Sequence, residues 1–345
     1  MKPIIGITMG DAAGIGPEII AKALSLKEIY DVCRPVVIGD ADAMREGMKV
    51  ARVQLKINSI KELSDAKFEY GTMDVLDLDN IRINELEMGK PQAMAGKASV
   101  EYIEKAVELA LKGEIHAITT APISKEAINM AGYNYAGHTE LLAHLTHTRD
   151  YAMMLVAGPL RVIHVTTHVP FNEVSRLIKK ERVYRTIKLA HDIMRKLGVR
   201  NPRIAVAGLN PHCGEGGLFG GEEIEEIIPA VESAKSEGLD VTGPIPADTV
   251  FVRAKGGEFD IVVAMYHDQG HIPIKLLGLE WDEDKKRWTS VGGVNVTVGL
   301  PIIRTSVDHG TAYGKAGRRE GTANPQSLIE AIKTAVKLAE TSIHI

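Results

Sequence analysis

The sequence has few cysteines, no long apolar runs and no clustered positive charge. Its 345 residues include two cysteines, Cys33 and Cys213, which lie far apart and outside any CxxC pattern. This spacing excludes a disulfide framework and a cysteine zinc site. The formal net charge is -4 and no run of lysine and arginine offsets it, which argues against a nucleic-acid surface or an anionic membrane as partner.

Apolar segments long enough for targeting or membrane insertion are also missing. The apolar segment at the start, residues 4–9, is too short for a signal peptide, and no later run approaches membrane-spanning length. We therefore expect a cytoplasmic protein without membrane contact. The 45% hydrophobic and 25% charged content is typical of a globular protein, and the length allows two cores of ordinary domain size.

Strand-like and helix-like segments alternate along the chain, without repeats and without a proline- or serine-rich linker. The predicted strands cover residues 4–9, 35–38, 115–119, 161–165, 203–207 and 261–265. The predicted helices cover residues 17–26, 98–111, 172–197, 222–236 and 325–339. Such alternation predicts parallel sheets covered by helices, which is an α/β fold.

Three histidines follow strand-like runs. His168 comes after residues 161–165, His212 after 203–207 and His267 after 261–265. In open α/β folds ligands bind outside the carboxyl ends of the strands, and three imidazoles with an open fourth position describe a catalytic zinc-type site. The pattern predicts a divalent metal on these three side chains, although each one taken singly is also compatible with ordinary capping. His164 is expected to pack in the interior.

A glycine-rich turn follows the first predicted strand, in the segment MGDAAGIGPE at residues 9–18. Its spacing does not match the dinucleotide fingerprint GxGxxG, and the sequence has no GxxxxGK[ST]. A Rossmann domain of the usual type is therefore excluded. The turn itself is either part of a binding site or an ordinary tight connection into a helix that has Pro17 at its first position.

Two further segments carry candidate ligand-binding side chains. GHTE at residues 137–140 opens a helical run, with Thr139 as the predicted N-cap, and free N–H groups there would suit a phosphate with His138 as a further donor. Simple capping is the alternative. Lys275 stands among aliphatic residues, where it either extends toward solvent or is held in a site near His267.

The segment from His309 to Ala312 resembles the adenosine-binding loop of the isocitrate and isopropylmalate dehydrogenases. His309, Gly310, Thr311 and Ala312 spell HGTA, and an Ala-Asn-Pro containing Asn324 follows about a dozen residues later. Those enzymes are β-decarboxylating dehydrogenases that hold NAD(P) without GxGxxG. The resemblance implies NAD as cofactor, with NADP as the alternative.

Nine segments together resemble one family across essentially the whole chain. They read GDAAGIGPEII, TTAPISKEAI, GHTELL, TTHVP, GLNPHCGEGG, PADT, AMYHDQGH, GVNVTVGLP and IRTSVDHGTA. In this order they are similar to the 4-hydroxythreonine-4-phosphate dehydrogenases. The resemblance implies two α/β/α domains with a cleft between them, as in the isocitrate and isopropylmalate dehydrogenases. A cofactor-side domain would comprise residues 1–130 plus 290–345, and a domain for metal, substrate and dimerisation residues 131–289.

The resemblance also implies the roles of individual residues. The metal, one of Zn, Mg, Co or Mn, would be bound by His168, His212 and His267, with ligands drawn from both subunits of a homodimer. The implied substrate contacts are His138, Thr139, Lys275, Asn295 and Arg304. Lys275, Asp248 and Asp268 are the candidates for proton transfer, and a metal acting as Lewis acid suits oxidation followed by loss of carbon dioxide.

The family divides by substrate. One branch oxidises 4-phosphooxy-L-threonine in pyridoxal 5'-phosphate biosynthesis, and the other converts 4-phospho-D-threonate or 4-phospho-D-erythronate to dihydroxyacetone phosphate and carbon dioxide. NYAGHTELLAHLTHTRDYAM and YHDQGHIPIKLLG favour the second branch. Two other classes stay open, a three-histidine metal aldolase, which would need no nicotinamide, and a sugar-phosphate binding protein, which would ordinarily carry an export signal.

One segment departs from the family pattern. Residues 280–290 lengthen the connection between Lys275 and Asn295, with mixed charges between Trp281 and Trp288. This composition predicts an exposed hairpin or a lid.

Overall fold

The computed structural model describes residues 2–284, 287–290 and 293–343. The chain forms two compact units: unit 1 comprises residues 1–149 and 300–345, and unit 2 comprises residues 150–299. These units are defined by packing. The division into a cofactor-side and a metal-side domain, expected at 130/131 and 289/290, concerns roles and stays a prediction.

Strands and helices alternate through both units. The strands are β1 (Ile4–Thr8), β2 (Arg34–Gly39), β3 (Lys56–Ile60), β4 (Thr72–Asp77), β5 (Ala117–Thr120), β6 (Ala152–Ala157), β7 (Leu160–His164), β8 (Ile204–Ala207), β9 (Val241–Ile245), β10 (Ile261–Ala264), β11 (Leu279–Asp282), β12 (Arg287–Ser290), β13 (Val294–Val298) and β14 (Arg304–Val307). The α-helices are α1 (Gly16–Leu24), α2 (Lys27–Val32), α3 (Ala41–Ala51), α4 (Ala93–Leu111), α5 (Lys125–Met130), α6 (His138–Leu145), α7 (Val174–Leu177), α8 (Lys180–Lys196), α9 (Ile228–Ser236), α10 (Ala247–Lys255), α11 (His267–Gly278), α12 (Tyr313–Arg318) and α13 (Gln326–Ile343).

The sheet of unit 1 has the strand order β3-β4-β2-β1-β5-β14, and each of these neighbouring pairs is parallel. Its central strands are apolar and buried, as parallel strands covered on both faces must be. Helix α4 packs against β1 and β2, and α13 packs against β5 and β14. The predicted parallel sheet with covering helices is therefore confirmed for this unit.

The sheet of unit 2 has the order β13-β6-β7-β10-β8-β9. The run β7-β10-β8-β9 is parallel, whereas β13, β6 and β7 pair antiparallel. Helix α8 packs against β7, β8 and β10 on one face, and α10 and α11 contact the same group of strands. Three parallel neighbours, β7, β10 and β8, thus end at the same edge. Within the described residues, no helix combines the length and the apolarity that crossing a bilayer requires.

Two predicted helices differ in the structure. The helix predicted over 172–197 is interrupted, because Ile178 and Lys179 adopt extended backbone between α7 and α8. Buried Ile178 fills the core at this break, and a Glu226 carboxylate oxygen accepts a hydrogen bond from the Lys180 backbone N at 2.7 Å. The helix predicted over 222–236 begins with a π-helical turn over Glu223–Ile227 before α9.

The segment 280–290 contains the predicted hairpin. Strands β11 and β12 pair antiparallel, with Trp281 opposite Trp288 in the backbone register. The Trp281 side chain is 42% exposed, so the ribbon is not part of the core. The hairpin prediction is confirmed, and a role as a lid stays a prediction.

His164 is fully buried at the end of β7, as expected from the sequence. Its Nδ1 lies 3.1 Å from the Met153 carbonyl oxygen and donates to it, because a carbonyl can only accept. Burial lowers the pKa of His164 to about 3, and the nearby His271 adds a smaller effect in the same direction. The folded protein therefore keeps this imidazole neutral at moderately acid pH.

This burial predicts acid sensitivity. An unfolded chain protonates His164 near pH 6.5, whereas the folded chain does not until about pH 3, so stability falls as the pH drops below 6.5. We expect the His164 contribution to reduce the free energy of unfolding by up to about 1.4 kcal/mol per pH unit below 6.5. Urea unfolding at pH 6.5, 5.5 and 4.5 measures it. His164→Asn, which keeps a donor for Met153 but cannot titrate, should show a shallower slope, and equal slopes would contradict the prediction.

Candidate active site

The three predicted metal histidines follow three adjacent strands of unit 2. His168 lies four residues after β7, His212 five residues after β8, and His267 three residues after β10. Because β10 lies between β7 and β8 in the sheet, all three segments leave the same edge. Ligand sites form at this edge in parallel sheets. The structure therefore brings together the strand ends that the sequence indicated.

His267 is the first residue of α11, after Tyr266 in extended backbone. Its Nδ1 lies 2.6 Å from the Asp268 Oδ1. A carboxylate can only accept, so Nδ1 carries the proton and the lone pair of the neutral ring lies on Nε2. This is the carboxylate–histidine arrangement that fixes a metal-binding imidazole in the correct tautomer. Asp268 itself is 72% exposed in its side chain.

His168 is exposed and lies next to His267. The two ring centroids are 5.6 Å apart, at an interplanar angle of 46°. Both rings line one pocket together with the exposed Phe171 and with Tyr266, whose rings meet edge to face at 5.7 Å. Two imidazoles are thus side by side in a solvent-accessible pocket.

His212 lies in a neighbouring pocket that also contains Asp248 and Asn210. Its backbone is left-handed, with φ of 53°, which costs energy in a residue other than glycine and needs support from the surroundings. The support comes from Glu223, which is 1% exposed. One Glu223 carboxylate oxygen accepts from the backbone N of Leu209 and of Asn210 at 2.7 Å each, and the other accepts from the Asn210 side chain at 2.9 Å.

Glu223 was not among the residues singled out from the sequence. It stands in the acidic run 222–226, which on sequence alone indicates a solvated helix start. Its position in the π-helical turn is the structural mark of its role, because π-turns recur at functional sites. No local signal distinguishes this buried carboxylate from its exposed neighbours.

Gln269 was also missed, and it ties two of the strand ends together. Its side-chain oxygen accepts from the Met265 backbone N at 2.7 Å, and its side-chain nitrogen donates to the Gly208 carbonyl at 2.8 Å. Met265 follows β10 and Gly208 follows β8, so this buried amide holds the segments that carry His267 and His212 at a constant separation. The segment AMYHDQGH contains Gln269, but nothing in the letters indicates its partner.

The single chain does not assemble a complete metal site. Among the residues that the structure describes, no group of three His, Cys, Asp or Glu side chains is placed to hold a metal ion. His168 and His267 form a pair of imidazoles, and His212 opens into the adjacent pocket. The donor chemistry of the pair suits a borderline metal such as zinc or cobalt, and one chain leaves the set short of a ligand.

The other candidates of unit 2 occupy four different elements or turns. Lys275 is partly buried two turns into α11, and Asp248 is exposed in the first turn of α10, beside His212 in the same pocket. Asn295 lies on β13, where its Oδ1 is buried and makes no hydrogen bond to any described residue. An enclosed acceptor of this kind is costly unless a donor reaches it.

In unit 1, Arg304 is 2% exposed at the start of β14. Its Nη2 donates to the Thr120 hydroxyl at 2.8 Å, at the end of β5. Burial lowers the pKa of its guanidinium to about 9, and the Glu140 carboxylate opposes that shift. The guanidinium is still cationic at neutral pH. It therefore supplies the local positive charge that the net-acidic chain needs for an anionic substrate.

His138 lies close enough to Arg304 to be affected by its charge. Burial, then the Arg304 charge, lower the pKa of His138 well below its usual range, so the ring is neutral at pH 7. Its Nε2 is buried and makes no hydrogen bond to any described residue. Thr139 is not the N-cap that the sequence predicted, because α6 begins at His138 after extended Gly137 and Thr139 is its second residue.

The loop predicted to bind the cofactor is exposed in unit 1. His309 and Gly310 are exposed, Ala312 adopts the left-handed conformation, and the Asn324 carbonyl oxygen accepts from the Gln326 backbone N at 2.9 Å before α13. Asn324 thus holds the start of a helix as well as being a predicted cofactor residue. Its cofactor role stays a prediction.

This loop packs against the glycine-rich turn. The Ile15 backbone N donates to the Thr311 carbonyl at 3.0 Å, and the Tyr313 hydroxyl donates to the Asp11 carboxylate at 2.7 Å. Asp11 is fully buried, which raises the pKa of its carboxyl group. Helix α1 begins at Gly16, so Pro17 is its second residue rather than the first. Two motifs that the sequence singled out separately form one structural feature.

Comparisons with known proteins agree with this geometry. The family described as pyridoxal phosphate biosynthetic protein PdxA matches residues 31–335. A D-threonate 4-phosphate dehydrogenase from Cupriavidus necator is 51% identical over 338 residues, which cover 98% of this chain and 97% of that protein. The crystal structure of a 4-hydroxythreonine-4-phosphate dehydrogenase from Burkholderia phymatum is 51% identical, with a TM-score of 0.83 over 98% of both chains.

A more distant structure has the same fold. It is a β-decarboxylating dehydrogenase from Thermococcus kodakarensis, with 15% identity and a TM-score of 0.50 over 96% of this chain and 82% of that one. At this identity the likeness concerns the fold alone. The predicted α/β fold of the isocitrate and isopropylmalate dehydrogenase type is confirmed.

Proposed function

The chain belongs to the PdxA family of pyridoxal phosphate biosynthetic proteins, and on this premise we propose that it is a cytoplasmic dehydrogenase of a phosphorylated four-carbon hydroxy acid. The proposed reaction oxidises 4-phospho-D-threonate or 4-phospho-D-erythronate at the C3 hydroxyl with NAD. The 3-oxo acid then loses its carboxyl group, and the products are dihydroxyacetone phosphate, carbon dioxide and NADH. The substrate class is carried by the name of the curated relative from Cupriavidus necator.

One observation supports the chemistry above the others. The His267 imidazole is held by Asp268 in the tautomer that leaves Nε2 as a lone pair, and the His168 ring lies beside it. Neutral imidazoles with a carboxylate behind them are typical ligands of a catalytic divalent metal. A bound divalent metal would supply Lewis acidity to the oxygen that becomes the ketone and to the charge that develops during decarboxylation.

The third ligand in this proposal, His212, comes from a partner subunit. The single chain leaves the site short of one ligand among the described residues. Helix α11, which begins at His267, also exposes Ile272 (65%) and Leu276 (79%) one turn apart on its surface. Exposed apolar side chains next to an incomplete site favour burial against a second copy of the chain. The proposal is therefore a homodimer with shared metal sites.

The phosphorylated acid would be bound by side chains with positive charge or unused hydrogen-bonding capacity. Arg304 can offer its guanidinium to an anionic group, and a planar fork suits carboxylate and phosphate oxygens. The enclosed Nε2 of His138 and Oδ1 of Asn295 can each pair with a substrate group. Thr139, in the first turn of α6, and Lys275 complete the proposed contacts.

Proton transfer is assigned to side chains near the histidines. Lys275 would hold the substrate carboxylate or return a proton to C2 after carbon dioxide leaves. Asp248, beside His212, would accept the proton of the C3 hydroxyl through water. Asp268 is bonded to His267, so its proposed contribution is to orient that ring. NAD would supply the hydride acceptor on the loop of His309, Gly310, Thr311 and Ala312 with Asn324, and NADP is the alternative.

The decisive experiment is an absorbance assay for NADH formation. Purified protein with NAD and Mn²⁺, Co²⁺, Mg²⁺ or Zn²⁺ is given 4-phospho-D-threonate, 4-phospho-D-erythronate or 4-phosphooxy-L-threonine. We expect turnover with the two sugar acids and formation of dihydroxyacetone phosphate. A clear preference for 4-phosphooxy-L-threonine would move the chain to the other branch of the family. Cleavage of a sugar phosphate without nicotinamide would favour the aldolase alternative.

A further inference from the structure

The His267 ring has a second imidazole stacked directly on it. The His271 ring lies on the next turn of α11, with its centroid 3.6 Å from that of His267 and an interplanar angle of 13°. The His271 Nδ1 lies 2.9 Å from the His267 backbone oxygen, which can only accept, so this nitrogen donates. The His271 ring is therefore anchored to the first turn of the same helix.

A third imidazole supports His271 from behind. The His164 ring centroid is 4.8 Å from that of His271, and His164 is itself fixed by its hydrogen bond to Met153. Gly270 makes this approach possible, because a Cβ at that position would lie 2.3 Å from the His164 Nε2. His164 belongs to β7, the strand that leads to His168. The four rings form a continuous row from the buried end of β7 to the pocket.

A histidine ring needs such support. The χ2 torsion of histidine joins an sp³ and an sp² carbon and has broad minima, so the side chain alone does not fix the plane of the ring. The Asp268 carboxylate restrains one edge of the His267 ring, but Asp268 is 72% exposed and can move with its own rotamer. A ring stacked at contact distance restricts rotation of the whole imidazole plane.

Resting on the proposed function, we infer that His271 is a positioning residue, whose ring stacks on His267 and holds the His267 Nε2 in the orientation that binds the divalent metal. The requirement is for a flat ring at residue 271 and not for its nitrogen atoms. His271→Phe keeps a flat ring, whereas His271→Leu fills much of the volume without one. This pair of variants separates stacking from simple packing.

The test measures Co²⁺ binding to the full-length, chelator-treated protein by calorimetry and by the visible absorption of the bound ion. We expect His271→Leu to weaken Co²⁺ binding about 10- to 100-fold, as loss of outer-sphere support does elsewhere, and His271→Phe to stay within about threefold of the unchanged protein. His144→Ala removes a histidine from a comparable ring contact in unit 1, with Tyr135 at 5.7 Å, and should leave Co²⁺ affinity unchanged. Thermal melting verifies that each variant is folded.

The remaining outcomes contradict the inference in distinguishable ways. Equal Co²⁺ affinity in His271→Leu and the unchanged protein would remove His271 from metal positioning. Loss of affinity in both His271→Phe and His271→Leu would mean that a nitrogen atom is needed, which overturns the stacking role. His267→Ala is the control for the site itself: if it binds Co²⁺ as well as the unchanged protein, the metal assignment of the proposed function fails and not only the role of His271.

Discussion

Replacement of His267 by alanine is expected to lower kcat by about 1,000-fold, which corresponds to about 4 kcal/mol of lost transition-state stabilisation. The proposed metal would lose the ligand whose tautomer Asp268 fixes. His168→Ala should have a similar effect, because His168 is the nearest imidazole to His267, with ring centroids 5.6 Å apart. The KM for NAD should change little, since the proposed cofactor loop lies in unit 1.

The measurement combines steady-state NADH formation with the metal content of each purified variant. His191→Ala is the matched control, because it removes a histidine of unit 2 from helix α8 and not from a strand end. It should retain both metal and turnover. Full activity of the unchanged protein after thorough chelation, verified by elemental analysis, would contradict a metal-dependent reaction.

A mixing experiment tests whether the ligands come from two subunits. His267→Ala and His212→Ala homodimers should each be inactive, and exchange of subunits should restore part of the activity. In a mixed dimer one of the two sites contains both intact ligands if they belong to different chains. No recovery after subunit exchange, verified by mass spectrometry, would argue against sharing between these two positions.

The second large effect is expected at Arg304. Arg304→Lys keeps a positive charge but loses the planar fork, and we expect kcat/KM for the phosphorylated acid to fall about 10- to 100-fold. Most of this loss should appear in KM, because the guanidinium binds an anionic group of the substrate before and during the reaction. The KM for NAD should stay the same within error.

Arg304 is buried, so destabilisation must be separated from lost binding. Arg203→Lys is the matched control, since Arg203 also uses its guanidinium fork, on the Asp260 carboxylate at 2.9 and 3.1 Å. Its kcat/KM should not change. Thermal melting of both variants shows how much stability each replacement costs. A folded Arg304→Lys protein with an unchanged KM for the acid would remove Arg304 from the substrate site.

Several features could be predicted from the sequence because they depend on local patterns. The alternation of apolar runs and helical periodicity predicted parallel sheets, and buried strands such as β1 and β10 correspond closely to the runs that predicted them. Burial of His164 followed from its place within an apolar strand. The hairpin at 279–290 followed from mixed charges in an added segment, which cannot form part of a core.

Other features depend on contacts between distant residues. Glu223 belongs to an acidic run whose other members are more exposed, and it is buried because the turn after β8 presents two backbone N–H groups to it. The role of Gln269 depends on Gly208, 61 positions earlier in the chain. The single helix predicted over 172–197 is interrupted, because core packing of Ile178 and a carboxylate from residue 226 outweigh a continuous helical periodicity.

The sequence by itself determined which residues can carry the chemistry, since imidazole, carboxylate and guanidinium groups follow buried strands at positions that the apolar pattern marks. Only the tertiary structure decided which of them are neighbours. Strand β10 lies between β7 and β8, although it follows both in the chain, so His267 is next to His168 while His212 opens into the adjacent pocket. Strand order is set by side-chain packing and backbone hydrogen bonds between segments about 100 residues apart, as in the pairing of Val162 with Val262, and such contacts leave no local trace in the sequence.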